Sequence, residues 1–174
     1  MRLSLCLFVL CVTSAALCAE SAGGLKWTAP AGWKSGGTSP MRAASYAIAP
    51  AAGDTAGGEC AVYFFGVGQG GGVEANVDRW KGQFSGPAGK PPVAQVATQK
   101  ARGLTITTVD TSGSYSGMGG PMAGGQSAVP GYRLLGAIVQ GPGGNIFVKF
   151  TGPAKTVAAN KQKFDQLIAS FQPG

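Results

Sequence analysis

The stretch YRLLGAIVQ-GPGG-NIFVKFT, residues 132–151, decides the fold of this chain. Two runs rich in branched and aromatic side chains flank a glycine-rich turn, a pattern typical of a β-hairpin. The glycines of that turn supply the positive-φ positions that a tight reversal needs. We therefore predict two antiparallel strands, at residues 132–140 and 145–151.

Five segments that precede this hairpin also have strand-like patterns. Alternating apolar residues or enrichment in β-branched residues predicts strands at 25–28, 42–49, 60–65, 93–99 and 104–110. The run 60–65 is apolar on both faces, which predicts a central strand. The last two segments are predicted to pair as a second hairpin.

Two segments have the periodicity of amphipathic helices, residues 73–84 and 154–171. In each of them, four apolar side chains fall within an arc of about 60° at the helical repeat. These side chains are Val73, Val77, Trp80 and Phe84 in the first helix, and Val157, Phe164, Ile168 and Phe171 in the second. The order βββ-α-ββββ-α favours an α+β fold in which an antiparallel sheet of about six to seven strands packs against two helices.

The N-terminus has the pattern of an export signal. Arg2 precedes an apolar run over residues 3–16, and small residues follow around Ala19. We predict that residues 1–19 are a signal peptide and that the exported chain is periplasmic or secreted. A lipid anchor at Cys18 is the alternative, although Leu17 is larger than the residue that usually precedes a lipidated cysteine. The apolar run is shorter than the roughly 20 residues of a membrane-spanning helix, and no later segment is long enough.

The exported chain, residues 20–174, has the size of one domain. Residues 112–130 are rich in glycine, contain two methionines and show no periodicity, so we predict a long loop there. Cys60 is the one cysteine that remains after the signal peptide, which excludes an internal disulfide. Its apolar neighbours predict a buried thiol.

The composition excludes several kinds of chemistry. The chain contains no His, which removes Ser-His-Asp triads, Cys-His pairs and most catalytic zinc sites. Charged residues make up 12% of it, against about 25% in ordinary domains. No nucleophile motif such as G-x-S-x-G occurs. We expect no enzymatic activity, no cofactor and no bound metal.

The net charge of +7 favours an anionic ligand or a component of the cell envelope as the partner. The basic residues are dispersed along the chain and are not interleaved with aromatic residues, which argues against nucleic acid. We expect a monomer.

The segment GVGQGG, residues 66–71, fits G-x-G-x-x-G between a strand and a helix. No acidic residue follows about 20 positions later, so dinucleotide binding is not supported. Backbone N–H groups near Gly71 and Gly72 could still hold an anion at the start of the helix. On that helix, Asp78 is placed to pair with Lys81 rather than to work with Glu74 in acid/base chemistry.

Three sites of different classes remain open. A partner site would form where the loops 66–72 and 112–130 approach each other, with Tyr115, Met118 and Met122 as contacts. A hydrolytic site would need two of the carboxylates of Asp54, Glu59 and Asp110 in one pocket. A small-ligand site would be an apolar cavity between helix and sheet, lined by Trp80, Phe84 and Phe147.

Two short motifs carry a resemblance to a known fold group. The opening WTAPAGW, residues 27–33, and the closing FDQLIASF, residues 164–171, resemble the PsbP/Mog1-like proteins. The resemblance implies their sandwich fold. It also implies a binding or accessory role, because relatives include photosystem support proteins, a transport accessory protein and exported bacterial proteins. We predict an exported, non-enzymatic binding or accessory module of the cell envelope, with small-ligand binding or a carboxylate-based hydrolase as alternatives.

Overall fold

A computed structural model describes residues 19–117 and 128–174. The helices are α1 (Val73–Lys81), α2 (Ala154–Ala159) and α3 (Lys161–Ser170). The strands are β1 (Ala19–Ala22), β2 (Leu25–Thr28), β3 (Lys34–Ser35), β4 (Arg42–Ile48), β5 (Gly58–Phe64), β6 (Phe84–Ser85), β7 (Ala94–Ala101), β8 (Leu104–Tyr115), β9 (Val129–Gly141), β10 (Gly144–Pro153) and β11 (Gln172–Pro173). No helix of the described residues is long and apolar enough to cross a membrane.

The strands form two antiparallel sheets. The large sheet has the order β3-β4-β5-β10-β9-β8-β6, and β7 pairs with β8 beside β6. The small sheet has the order β1-β2-β11. Both predicted hairpins are confirmed, with Asn145 opposite Gln140 in β10–β9 and Ala101 opposite Leu104 in β7–β8. The α+β class is confirmed, and the strands are more numerous than predicted because short edge strands carry no periodic pattern.

The first face of the large sheet, defined as the one that α2, α3 and the small sheet cover, holds the larger core. Because successive side chains of a strand point to opposite faces, every second apolar side chain of the central strands lies in this core, including the buried Cys60. Trp27 of the small sheet stacks on Phe171 with ring centroids 5.1 Å apart, and its Nε1 donates to Tyr46 Oη at 2.9 Å. Tyr46 in turn donates to Glu20 at 2.5 Å. The large and small sheets are therefore joined by a buried polar link as well as by apolar packing.

Within the described residues, a helix covers only part of the second face. Helix α1 lies over β8, β9 and β10, and the ring of Trp80 lies directly on Gly136 of β9, where a Cβ would be 2.5 Å from Trp80 Cζ3. The helix approaches the sheet this closely because position 136 has no side chain. Beside it, the second face of β4 and β5 has no helix over it among the described residues.

Both predicted helices needed correction. The first ends at Lys81 rather than at residue 84, because Gly82 caps it and Phe84 pairs with Tyr115 as the short strand β6. Phe84 is still buried in the second-face core. The second predicted helix is two helices, since Asn160 has non-helical φ and ψ and its side chain bonds Thr156 O and Trp33 Nε1.

The predicted loop at 112–130 is shorter than expected. Residues 112–115 continue β8, and residues 129 and 130 open β9. These Gly- and Ser-rich residues pair through the main chain, which needs no apolar period, and a bulge lies between Gly113 and Tyr115. Residues 118–127, including Met118 and Met122, lie outside the described residues.

Candidate functional site

A cavity of about 150 Å³ opens between α1 and the second face of the large sheet. We call it the Lys149 pocket. Its lining is mostly aromatic, with two cations and one amide: Tyr63, Phe65, Arg79, Trp80, Gln83, Phe147 and Lys149. An apolar cavity with a few convergent polar groups is the usual form of a small-molecule site.

The alternation of side chains along β10 places the ammonium group of Lys149 in this pocket. Side chains alternate between the two faces in the run IFVKF, residues 146–150. The first-face core takes Ile146, Val148 and Phe150, whereas the second face takes Phe147 and Lys149. Lys149 lies opposite Ala61 of β5 and Gly136 of β9. Because both neighbours are small, the lysine side chain has room to extend over the sheet.

Lys149 is 7% exposed. Its Nζ donates to Gln83 Oε1 at 2.6 Å and to Tyr115 Oη at 3.1 Å, and it lies 5.2 Å from the centroid of the Tyr115 ring. It belongs to none of the four ion pairs among the described residues. An ammonium group has three N–H donors. Two have neutral partners, Gln83 and Tyr115, and the third has no partner within residues 19–117 and 128–174.

Burial and neighbouring cations disfavour the charged form of this lysine. The pKa of Lys149 falls from the ordinary 10.5 to about 8, chiefly through desolvation and then through Arg79. Arg42 lowers the pKa further, whereas Glu59 raises it. Near neutral pH the side chain is still mostly protonated, so the pocket presents a buried cation whose described lining includes no counter-ion.

A groove formed by residues of the described ranges continues from the Lys149 pocket across β4 and β5 on the second face. It has a volume of about 480 Å³ and shares Tyr63 and Lys149 with the pocket. Tyr115 and Tyr132 stack along it with ring centroids 5.8 Å apart. The hydroxyl oxygen of Thr151, also in the groove, is buried and has no hydrogen-bond partner among the described residues. Buried polar atoms in folded proteins are rarely left without a partner.

The predicted anion site at Gly71 and Gly72 is not part of this pocket's lining. Both glycines are exposed. The Gly72 carbonyl accepts a hydrogen bond at 2.9 Å from Asn76 Nδ2, which also bonds Gly70 O at 2.9 Å. Arg79 donates to Asn76 Oδ1, so this amide connects the glycine loop to the pocket arginine.

The glycine loop does adjoin the pocket wall at one point. A Cβ at Gly70 would lie 2.6 Å from the rings of both Phe65 and Phe147, which line the pocket. Of the contacts predicted on the other loop, Tyr115 reaches Lys149, and Met118 and Met122 are outside the described residues. Whether the two loops together bind a partner stays a prediction.

The predicted helix–sheet cavity is present with two of its three predicted residues. Trp80 and Phe147 line it, whereas Phe84 packs behind it, 5.0 Å from the Tyr115 ring centroid. Lys149 was not among the site residues predicted from the sequence. Its signal was the single charge in an otherwise apolar run that was itself predicted as a strand.

The three predicted carboxylates have separate partners. Asp54 accepts hydrogen bonds from Thr156 N and Oγ1 at the start of α2. Glu59 pairs with Arg42 at 2.5 Å on the second face, and Asp110 binds Arg133 through two bonds of 2.8 and 2.6 Å.

None of the described pockets is lined by two of these carboxylates. The pairing of Asp54, Glu59 and Asp110 that a hydrolytic site would need is therefore not found in these pockets. Asp78 and Lys81 form the predicted ion pair, at 2.9 Å, and Glu74 is exposed.

The burial of Lys149 leads to a prediction about how the stability of the protein depends on pH. Between its folded pKa near 8 and its unfolded pKa near 10.5, the unfolded chain binds more protons, so stability rises with pH. From pH 7 to 9.5 the free energy of unfolding should increase by about 2 kcal/mol relative to Lys149→Met. Urea unfolding of both proteins measures this difference.

Both proteins contain the other titratable and charged groups that face this lysine, so their own contributions to the pH dependence cancel in the comparison with Lys149→Met. These are Arg79 on α1, Arg42 on β4, Glu59 and Tyr63 on β5, Tyr115 on β8 and Tyr132 on β9. A constant difference between the two proteins over this range would contradict the lowered pKa of Lys149.

Comparison with solved structures identifies a similar fold. The solution structure of cyanobacterial PsbP (CyanoP) from Synechocystis matches with a TM-score of 0.55 at 15% sequence identity, covering 96% of this chain and 98% of that chain. The chain has a PsbP-like fold. A protein of unknown function from Pseudomonas aeruginosa matches with a TM-score of 0.49 at 10% identity, covering 88% of this chain and 94% of that one. No protein-family model and no curated protein matches.

The PsbP-like fold confirms the resemblance that the motifs at 27–33 and 164–171 carried. At this identity the likeness concerns the fold, and one fold serves many functions. The function of this chain has to be argued from the Lys149 pocket.

Proposed function

We propose that the protein is an exported, non-enzymatic binding module of the cell envelope, which takes a small organic anion with an apolar body in the Lys149 pocket. One observation carries this proposal: a buried ammonium group, with no carboxylate partner in the part of the chain that the structure describes, lies in a cavity walled by aromatic rings. A charge buried in this way is costly, and an anionic ligand offsets the cost by pairing with it.

The lining favours an anion over other ligands. Arg79 and Lys149 are the two charged groups of the pocket, both positive, and no carboxylate lines it. Phe65, Trp80 and Phe147 supply the apolar walls, which suit an aromatic or aliphatic body. The size of the cavity suits a ligand of about ten non-hydrogen atoms, for which modest affinity is the norm.

The matched probes are benzoate and benzamide, which have nearly the same shape and differ in charge. Calorimetric titration should give at least tenfold tighter binding of benzoate, because the carboxylate pairs with Lys149. In Lys149→Met this preference should be strongly reduced, with Arg79 as the cation that still lines the pocket. That variant should remain folded, since methionine removes a buried charge and keeps a flexible apolar chain.

Lys90→Met is the control, because Lys90 is exposed in the turn before β7. It should bind benzoate as the wild type does. Equal binding of benzoate and benzamide by the wild type, or an undiminished benzoate preference in Lys149→Met, would refute the proposed site.

Export is the second part of the proposal. It is supported by the apolar run at residues 3–16 and the small residues near Ala19. Glu20, the first residue after the proposed cleavage point, accepts a hydrogen bond from Tyr46 within the fold. N-terminal sequencing of the protein from its native cells should therefore begin at Glu20, and an N-terminus at Met1 would contradict export by cleavage.

A further inference from the structure

We propose that Lys149 Nζ forms a reversible imine with the carbonyl group of an oxo acid held in the Lys149 pocket. The inference rests on the proposed function and narrows its ligand class to anions that also carry an aldehyde or ketone. It stands on the placement of the amine: the side chain is enclosed, has neutral hydrogen-bond partners and faces an aromatic cavity.

The surroundings of the amine supply what imine formation requires. Gln83 Oε1, 2.6 Å from Nζ, accepts one N–H and fixes the direction of the nitrogen. Tyr115 Oη, 3.1 Å from Nζ, is a hydroxyl that can give and receive a proton beside it. Arg79 lines the same pocket and can pair with the carboxylate of the ligand.

The reaction balances without an oxidant or a reductant. The lone pair of unprotonated Nζ attacks the carbonyl carbon, and the carbonyl oxygen takes one of the two protons of that nitrogen to give a carbinolamine. Tyr115 protonates the hydroxyl as it leaves, and the tyrosine recovers a proton that the nitrogen loses. The C=N bond forms as one water molecule departs, so amine and carbonyl give imine and water.

The lowered pKa of Lys149 supports this step. At pH 8 about half of the Lys149 side chains are unprotonated, on the order of a hundredfold more than for a lysine with the ordinary pKa of 10.5. Desolvated lysines of this kind are the ones that form imines in proteins.

The test is reductive trapping of 4-formylbenzoate with cyanoborohydride at pH 8, followed by peptide mass spectrometry. Lys149 should be modified at least tenfold faster than the exposed Lys90 and Lys155. Tyr115→Phe should slow the modification of Lys149 and leave that of the exposed lysines unchanged. Benzoate should compete with trapping at Lys149 alone.

The outcomes separate this inference from the proposed function. If Lys149 is modified no faster than Lys90, while benzoate still binds the wild type and not Lys149→Met, the imine is refuted and the binding site stands. If neither trapping nor benzoate binding involves Lys149, both are refuted. Lys149→Arg offers a second variant that keeps the charge and cannot form an imine, so it should retain benzoate binding and lose trapping.

Discussion

Trp80→Ala should lower the free energy of unfolding by about 3 to 5 kcal/mol, the usual cost of truncating a large buried aromatic residue. Trp80 is 3% exposed and is the largest side chain that α1 contributes to the second-face core. Its ring lies on Gly136, so nothing on the sheet can move in to fill the space. Thermal and urea unfolding of the wild type and the variant measure the change.

The matched control for this prediction is Glu74→Ala on the exposed side of the same helix. It should change stability by less than about 0.5 kcal/mol, since Glu74 is exposed. A loss below about 1 kcal/mol for Trp80→Ala would show that α1 is not anchored to the sheet through this ring. Trp80→Phe, a milder change, should stay folded and weaken benzoate binding, because Trp80 is also a wall of the Lys149 pocket.

Phe150→Ala should cost a similar amount, about 3 to 5 kcal/mol, and act on the opposite face of the sheet. Phe150 is 0% exposed. Its ring centroid lies 5.3 Å from that of Trp33 and 6.3 Å from that of Phe164 on α3. Truncation therefore leaves a cavity between the large sheet and α3, and urea unfolding should show it directly.

Phe150 and Lys149 are adjacent in β10 and point to opposite faces. A substitution at Phe150 should therefore change the stability of the protein without changing its affinity for benzoate. Phe150→Leu should be destabilised by a smaller amount and remain folded. It should bind benzoate within about twofold of the wild type, because its change lies on the first face. A large loss of benzoate affinity in folded Phe150→Leu would contradict a site confined to the second face.

The long elements of the fold were predictable from the sequence because burial imposes a period on them. The hairpin at 132–151 and the apolar stripe of Val77 and Trp80 follow this rule. Short strands such as β6 and β11 were not predictable in this way, since a segment of two residues shows no periodicity. The break at Asn160 was missed because the apolar pattern continues on both sides of it.

The candidate site was only partly predictable for a different reason. Trp80 and Phe147 were expected in a helix–sheet cavity because both are large and apolar, and they line it. Lys149 was missed because its role depends on long-range neighbours: Gln83 follows α1 and Tyr115 ends β8, 66 and 34 residues away in sequence. Single-sequence periodicity shows which face a residue lies on, but not which distant groups meet it there.

The carboxylates illustrate the same limit. Asp54, Glu59 and Asp110 were grouped by their chemistry alone. In the folded chain, each is occupied by a different partner, namely Thr156, Arg42 and Arg133. A local sequence pattern does not show ion pairs or helix caps that form between distant segments.

A crystal structure of the wild-type protein with benzoate would test the central claim most directly, because it locates the ligand. We predict that the ring lies between Trp80 and Phe147, with a carboxylate oxygen about 3 Å from Lys149 Nζ. Benzoate bound elsewhere, with Lys149 still bonded only to Gln83 and Tyr115, would contradict the proposed site.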